Sequence, residues 1–314
     1  MDIIISHQSA LEYWRQHRKL PKSVTHRRQT ITLPDKPPAT NQIVSLGLTL
    51  PVHVTISKPN TRWLSITMKQ HVFAGKIPIA CFIDTENNFM VSSPELCYLQ
   101  MASQLPLIEL IELGYEMCGR YSIPNAKAEE TSESGFYRRD PLTNKKKLAA
   151  FISRMKGAKW HKKAIRALRY IQDGSASPME TKLTILLTLP YQLGGFGLLM
   201  PDMNSRIVPT KTARQSSSKG FYVCDLFWPE YNLAVEYDSD LFHTGSQHIA
   251  DDSKKRNALA LLGITTITVT KQQLYSYSEM IKVAKVLANY MDKRLKLKNP
   301  GFANANLELR KQLL

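Results

Sequence analysis

Residues 1–125 alternate short apolar runs with prolines and polar turns, a pattern typical of β-strands. The apolar runs expected to form strands span residues 31–33, 43–54, 64–68 and 77–83. Two helices are expected between them, one carrying Leu11 and Trp14 and one with Ser93 as N-cap and Pro94 in its first turn. These residues are therefore predicted to form a β-rich α+β N-terminal domain.

Residues 126–172 differ in composition from what precedes them. They begin polar, mixed in charge and poor in aliphatic side chains, as expected for a linker or a long exposed loop. From Lys145 onwards the segment is strongly basic, and Ile165 and Leu168 repeat within it at helical spacing. We expect a helix with one buried stripe and a cationic face there, followed by a second domain over residues 173–314.

The second domain is predicted to alternate helices with strands. Ser177 and Glu180 have the spacing of an N-cap and its capping-box partner at a helix start. Residues 221–228 and 233–238 are β-type runs on either side of a short turn, as in an antiparallel hairpin. A further helix ending near Gly263 precedes a last strand. The expected order is helix, strand, hairpin, helix and strand, or αβββαβ. The whole chain is predicted to belong to the α/β class.

The charge balance of the chain indicates a polyanionic partner. The 314 residues include 42 Lys and Arg against 26 Asp and Glu, a formal net charge of +16. Nucleic acid is the commonest polyanion in such cases, and a membrane surface is the alternative. The residues predicted to contact phosphates lie in the basic helix: Lys159, Lys162, Lys163, Arg166 and Arg169. A solvated helix face is the alternative interpretation of these residues.

Neither a leader nor a spanning segment is visible in the sequence. The short apolar run near the start follows no basic segment, and no stretch approaches the roughly 18 apolar residues that a membrane helix needs. We therefore expect a cytoplasmic protein without a membrane partner. The four cysteines are scattered without CxxC pairs, so buried free thiols are expected.

Three carboxylates interrupt the apolar strands of the predicted hairpin: Asp225, Glu236 and Asp238. An unpaired buried carboxylate is costly unless a cation or a proton offsets its charge. Residues two apart on a strand share a face, so Glu236 and Asp238 point the same way, and the hairpin brings Asp225 across from Glu236 or its neighbour. Such a group favours Mg²⁺ or Mn²⁺ as a cofactor over structural ion pairs with nearby Lys or Arg.

Two further residues are candidates for chemistry. His243 follows the acidic strand end and can serve as a general base or assist the metal, with a structural role as the alternative. Glu180 is explained either by its capping-box position or by a catalytic role. The sequence leaves both choices open.

Two segments, VCDLFWPEYNLAVEYDSDLFH and DSKKRNALALLGITTITVT, resemble the Vsr-like (very-short-patch-repair) branch of the PD-(D/E)XK endonucleases. The resemblance implies a restriction-endonuclease-like αβββαβ core. It places Asp225 at the family's metal-binding Asp, Glu236 and Asp238 at its acidic strand end, and His243 at its downstream His. Glu180 falls where the first helix of this fold often carries a Glu.

This sequence departs from the family pattern at three positions. Ser239 replaces the usual Gly and Lys255 the usual Arg, and Asp238 occupies the position of the superfamily's Lys, as is common in this branch. The role of activating water is therefore open, with Lys254, Lys255 and His243 as the candidates.

The leading hypothesis is a Mg²⁺- or Mn²⁺-dependent endonuclease or nickase that hydrolyses phosphodiester bonds of double-stranded DNA with a metal-activated water. The runs SHQSAL and VSSPELCYLQMAS in the first half resemble, more faintly, the AbiEi-type antitoxins of type IV toxin–antitoxin systems. That resemblance implies a role in phage defence or a mobile element, with a partner protein from the same operon. The alternative is a DNA-binding regulator or antitoxin-like protein that retains an inactive nuclease fold.

Overall fold

The computed structural model describes residues 3–16, 32–73, 80–85, 89–124, 135–208, 220–238 and 246–314, with the backbone alone for residues 246–252. The chain divides into two compact units, residues 1–171 and residues 172–314. The first contains a five-stranded mixed sheet and the second a four-stranded mixed sheet, each accompanied by helices. The predicted α/β class is confirmed.

The first unit is built on strands β1 (Ile3–Ile5), β2 (Val52–Ile56), β3 (Met68–Val72), β4 (Phe82–Asp84) and β5 (Phe89–Ser92). Their order in the sheet is β3-β2-β1-β5-β4. β1 is the central strand, antiparallel to β2 and parallel to β5, and its three isoleucines are buried. β2 and β3 run parallel. Two short strands, β6 (Tyr121–Ser122) and β7 (Tyr137–Arg138), form a separate pair.

Six helices are described in the first unit: α1 (His7–Gln16), α2 (Thr40–Val44), α3 (Pro94–Met101), α4 (Leu107–Cys118), α5 (Lys145–Arg154) and α6 (His161–Leu168). The predictions of α1 and α3 are confirmed. Leu11 and Trp14 are buried on α1. Ser93 caps α3, since its hydroxyl accepts a hydrogen bond from the Leu96 N–H at 3.3 Å.

Several predictions for the first unit are wrong. Ile43 lies on helix α2 rather than in a strand, and its side chain is fully buried there. Residues 64–67 form no strand, and Leu64 and Ile66 are exposed. The central strand β1 and the helix α4 were not predicted. Short apolar runs fit a buried helix as well as a strand, so hydrophobic periodicity alone does not distinguish the two.

The basic segment forms two helices, α5 and α6, rather than one. Leu168 is buried as expected, but Ile165 is 37% exposed, and the buried stripe of α6 consists of Ala164, Ala167 and Leu168. α5 contacts α3, and α6 contacts α4 and α5. Both helices therefore pack within the first unit.

The second unit begins with α7 (Pro178–Thr188), β8 (Asp202–Ile207), β9 (Tyr222–Trp228), β10 (Leu233–Asp238), α8 (Ser246–Leu261) and β11 (Thr265–Thr270). This is the αβββαβ order expected from the sequence. The sheet order is β11-β10-β9-β8, with β10 and β11 parallel and the other pairs antiparallel. Three helices follow: α9 (Lys271–Tyr275), α10 (Tyr277–Tyr290) and α11 (Phe302–Leu313).

The predicted hairpin of β9 and β10 is present. Val235 pairs with Leu226, and the connection is a 3₁₀ turn followed by Asn232 in the left-handed region, with φ of 45°. Asn adopts this conformation more readily than most residues. Helix α8 packs on the hairpin, in a buried cluster formed by Tyr222, Cys224, Phe227, Ala234, Ala258, Leu259 and Ile264. This packing determines where the polar side chains of α8 lie relative to the sheet.

Cys81, Cys97, Cys118 and Cys224 are buried and free, as predicted. Over the part of the chain that the structure describes, none of the helices combines the length and the apolar character needed to cross a membrane.

Candidate active site

Two carboxylates lie where the β9–β10 ladder ends. The last registered pair is Val235 with Leu226, and Glu236 and Asp225 are the next residues along the two strands. Asp225 Oδ2 accepts a hydrogen bond from the backbone N–H of Tyr237 at 2.8 Å. A side-chain oxygen therefore takes the place that a backbone carbonyl would have in a continued ladder. This contact fixes the Asp225 carboxylate beside β10.

Glu180 brings a third carboxylate from α7. Ser177 is the N-cap as expected, since its hydroxyl accepts from the Glu180 N–H at 3.1 Å. The Glu180 side chain does not complete the capping box with Ser177; its Oε2 accepts from the Ala176 N–H at 3.0 Å and from Asn204 Nδ2 at 2.6 Å. Asn204 lies on β8 and also donates to the Gly174 carbonyl at 3.0 Å. The buried carboxylate is therefore held in one orientation.

Lys255 supplies the ammonium of the site from α8. Its Nζ lies 2.6 Å from Glu236 Oε2, and the two side chains are 26% and 18% exposed. Glu236 Oε1 is buried and makes no hydrogen bond of normal geometry, although the Cys224 thiol, a weak donor, lies beside Glu236. One oxygen of Glu236 is thus paired, and the other is available to a ligand.

Burial raises the pKa values of all three acidic groups. Burial, followed by the charge of Asp225, raises the pKa of Glu180 to about 7 and that of Glu236 to about 7. Burial also raises the pKa of Asp225, against the lowering effects of the Tyr237 N–H and of Lys255. Asp225 and Glu236 are thus the two carboxylates that feel the charge of Lys255, and Glu180 has a carboxylate neighbour in Asp225. Acidic groups in such surroundings favour uptake of a proton or of a cation.

The donor set fits a hydrated Mg²⁺ or Mn²⁺ ion. Carboxylate oxygens are the hard ligands these ions prefer, and Glu236 Oε1 is a buried oxygen in need of a partner. Among the described residues, Glu180, Asp225 and Glu236 do not bring three ligand atoms within 4.8 Å of one another. A cation here would therefore be held by one or two carboxylates and complete its coordination with water, as Mg²⁺ commonly does.

Glu180 and Asp238, both candidates from the sequence, differ in burial. Asp238 ends β10 with an exposed side chain, and Glu180 joins Asp225 and Glu236 in the buried group. Burial decreases along β10 towards its end, so sharing a strand face with Glu236 does not bring Asp238 into the interior. His243 lies outside the described residues.

The sequence indicated Lys255 as a possible site residue but did not indicate Asn204. Lys255 was one of three candidates for activating water, and the structure brings it to Glu236. Asn204 was missed, because an Asn among polar neighbours on a strand has no pattern that marks it as the partner of a buried carboxylate.

The cationic residues of the first unit do not all have the same role. Lys159, Lys162, Arg166 and Arg169 are exposed, whereas Lys163 donates from its Nζ to the Leu105 carbonyl. Trp160, which the sequence did not single out, is 42% exposed, and the Nζ atoms of Lys159 and Lys163 lie 5.5 and 5.6 Å from its ring centroid. The ring is therefore an exposed aromatic surface flanked by two ammonium groups.

The second unit thus combines three carboxylates of raised pKa, one of them with a buried oxygen that has no hydrogen-bond partner, and a lysine that is paired with Glu236. Such a set can bind a divalent cation and position a nucleophilic water next to it. No protein-family model, curated protein or solved structure matches the chain, so its function is inferred from this geometry.

Proposed function

We propose that the second unit is a PD-(D/E)XK-type endonuclease or nickase that hydrolyses DNA phosphodiester bonds with Mg²⁺ or Mn²⁺. The observation that carries the proposal is that Asp225 lies close enough to Glu180 and Glu236 to raise the pKa of both, with Lys255 paired to Glu236, within an αβββαβ unit. Buried carboxylates that repel one another destabilise a fold, and a cation-binding role accounts for their presence. The fold alone implies no activity.

The oxygens left over by the structural contacts indicate how the residues divide their roles. Asp225 uses Oδ2 on Tyr237 and Glu236 uses Oε2 on Lys255, which leaves Asp225 Oδ1 and Glu236 Oε1 to hold the cation. When bound, a divalent cation lowers the pKa of a coordinated water and neutralises charge on the phosphate. Glu180, with its raised pKa, can hold a proton or accept a hydrogen bond from water.

Lys255 is the residue best suited to orient the attacking water. Its Nζ is fixed beside Glu236, and an ammonium has three donors, so it can contact a water or a phosphate oxygen as well. The position two residues after Glu236 is occupied by Asp238, whose ionised carboxylate has no donor for a phosphate oxygen. We therefore assign to Lys255 the role that the superfamily gives to a strand lysine.

A polyanionic substrate is supported by the charge of the chain. The net charge of +16 and the exposed Lys159, Lys162, Arg166 and Arg169 favour binding to a phosphate backbone, and double-stranded DNA is the proposed substrate.

A second candidate is a DNA-binding regulator that keeps an inactive nuclease fold. It is favoured by the absence, among the described residues, of three carboxylate ligand atoms within 4.8 Å of one another. In this case the ion pair of Lys255 with Glu236 is structural, and the protein binds DNA without cutting it.

Incubation of the full chain with supercoiled plasmid separates the two functions. We expect nicked or linear plasmid with Mg²⁺ or Mn²⁺ and no conversion with EDTA. Asp225→Asn should abolish the conversion, and the matched control Asp202→Asn, an exposed carboxylate on β8, should not. Identical plasmid patterns for wild type and Asp225→Asn in every metal would refute the nuclease, and retained DNA binding would then support the regulator.

A further inference from the structure

A cluster of three histidines in the first unit takes no part in the carboxylate site or in the cationic surface of α6. His7 opens α1, His53 lies in β2 and His71 in β3. Each offers one ring nitrogen, and these three nitrogens all lie within 4.8 Å of one another. We propose that His7, His53 and His71 form a binding site for a divalent transition-metal ion, with Zn²⁺ as the ion that fits it best.

The spacing of two of the nitrogens already suits a tetrahedral ion. His71 Nε2 lies 3.2 Å from His53 Nδ1. Two nitrogens bound to one tetrahedral Zn²⁺, each at about 2.0–2.1 Å, are about 3.3–3.4 Å apart. Gln104 Nε2 also lies 3.3 Å from His53 Nδ1. A ring nitrogen carries either one proton or one lone pair, so it cannot satisfy both neighbours fully, and a metal ion provides a better partner for it.

The third ligand must rotate to complete the site. The rings of His7 and His71 are stacked, with centroids 3.6 Å apart and planes 16° from parallel. Nitrogen lone pairs lie in the ring plane, so two nearly parallel rings cannot both direct a lone pair at one ion. A rotation of the His7 or His71 ring about its Cβ–Cγ bond resolves this. That torsion has a broad energy minimum, and the rotation leaves the backbone unchanged.

The backbone of His7 is held in an uncommon conformation. Its φ of 49° lies in the left-handed region, which is unfavourable for a residue other than Gly and recurs at functional sites. Gln100 Oε1 accepts from the His7 N–H at 3.1 Å, and the Cys97 thiol lies 3.7 Å from the His7 carbonyl. These contacts from α3 fix the base of the His7 side chain next to the other two rings.

The type of ligand also suits a transition metal, because an imidazole ring binds metal ions through a nitrogen lone pair. Imidazole nitrogens select Zn²⁺, Cu²⁺, Ni²⁺ or Co²⁺ over Mg²⁺, which distinguishes this site from the carboxylates of the second unit.

Lys69 sets a limit on the affinity. It pairs with His53 across β2 and β3, and its charge contributes to the lowered pKa of all three histidines. The same charge repels a dication. Three ligands from α1, β2 and β3 leave a fourth position to water, and bound metal ties the helix to the two strands.

The test is a titration of the metal-free full chain with Zn²⁺ by calorimetry, repeated with Co²⁺ by visible absorption. We expect saturable Zn²⁺ binding and the intense visible bands of four-coordinate Co²⁺. His53→Gln and His71→Ala should each weaken Zn²⁺ binding by about 100-fold or more, because each removes one of only three protein ligands. The control His161→Ala, outside the cluster, should leave the affinity unchanged.

A variant that keeps all three ligands guards against unfolding of the histidine variants. Lys69→Gln removes the repelling charge and should strengthen Zn²⁺ binding by about 3- to 10-fold. Asp225→Asn should not alter it, so this proposal and the nuclease proposal fail independently. The proposal is overturned if wild type binds no Zn²⁺, if His71→Ala binds it equally well, or if Lys69→Gln does not strengthen binding.

Discussion

The ammonium of Lys255 lies 2.6 Å from Glu236 Oε2, which joins helix α8 to the acidic end of strand β10. The two residues are 19 positions apart in the sequence. Their contact depends on the packing of Ala258 and Leu259 against the hairpin, because this packing determines which side of α8 meets β10.

Replacement of Lys255 by Met should reduce cleavage by about 100-fold or more, since the donor that orients water is lost. DNA binding should be retained, because one cation contributes little to the total electrostatic affinity of the protein for DNA. Rates of plasmid nicking and a filter-binding assay measure the two effects. Arg256→Gln, at an exposed position of the same helix, is the matched control and should remain active. Equal loss in both variants would indicate a general effect of charge on α8.

Asp225→Asn should leave the fold intact and raise its thermal stability. The amide oxygen of Asn can still accept from the Tyr237 N–H, and removal of the charge relieves repulsion with Glu180 and Glu236. A gain of about 1 kcal/mol near neutral pH is expected. Mg²⁺ should raise the thermal midpoint of wild type but not of the variant, because a bound ion stabilises only a fold that retains its ligands. Equal Mg²⁺ effects on both would contradict a site at Asp225.

Ser177 and Glu180 separate the helix cap from the site chemistry. Ser177→Ala removes the acceptor for the Glu180 N–H and should lower the free energy of unfolding by about 1 kcal/mol, with cleavage retained. Glu180→Gln can keep the contact with the Ala176 N–H and should preserve the thermal midpoint while reducing cleavage. Calorimetry and plasmid nicking on both variants provide the comparison. If Glu180→Gln instead lowers the thermal midpoint and leaves cleavage unchanged, Glu180 is a purely structural residue.

The stability of the second unit should decrease as pH rises through the acidic range. Folding raises the pKa of Glu180 and of Glu236 from 4.5 to about 7, so the folded state binds more protons between these values. Without divalent ions, the free energy of unfolding should therefore fall from about pH 4.5 to about pH 7 by roughly 5 kcal/mol for the two groups together. Mg²⁺ should reduce this fall, because the cation replaces the protons.

Urea unfolding across this pH range, with EDTA or with Mg²⁺, measures the effect. Glu180→Gln should flatten the pH dependence, and Glu308→Gln, an exposed residue of α11, should leave it unchanged. A stability that stays constant over the range in wild type, or equal slopes in both variants, would contradict the coupled carboxylates.

The salt dependence of DNA binding should distinguish two exposed cations of α6, Lys162 and Arg166, from Lys163, whose ammonium is hydrogen-bonded within the fold. Neutralising Lys162 and Arg166 should reduce the slope of log affinity against log salt by about two units, since each phosphate contact contributes about 0.9. Lys163→Gln should mainly destabilise the fold, because its Nζ donates to the Leu105 carbonyl. Neutralising Lys282 and Lys285 of α10 serves as control. A slope that responds equally to both pairs would mean that binding depends only on net charge.

The sequence predicted the second unit better than the first. Ser177 and Gly263 mark helix ends because a side-chain cap and a left-handed glycine act within one turn of the chain. The two apolar runs on either side of the turn at 229–232 predict a hairpin because its strands are adjacent in the sequence. In the first unit, Ile43 belongs to a short buried helix and the run at 3–5 forms the central strand. Short apolar runs of this kind look alike whether they become helix or strand, because burial on all sides removes the periodicity.

What the sequence determined was the order of local elements in the second unit and the presence of Asp225 and Glu236 in apolar strands, since both depend on residues within one turn or one strand pair. Tertiary packing decided the rest. It buried Glu180 beside Asp225, left Asp238 exposed and brought Lys255 and Asn204 to the carboxylates. It also assembled the histidines of α1, β2 and β3 through strand pairing and helix docking. Such contacts join residues far apart in the chain, so no periodicity or spacing in the sequence encodes them.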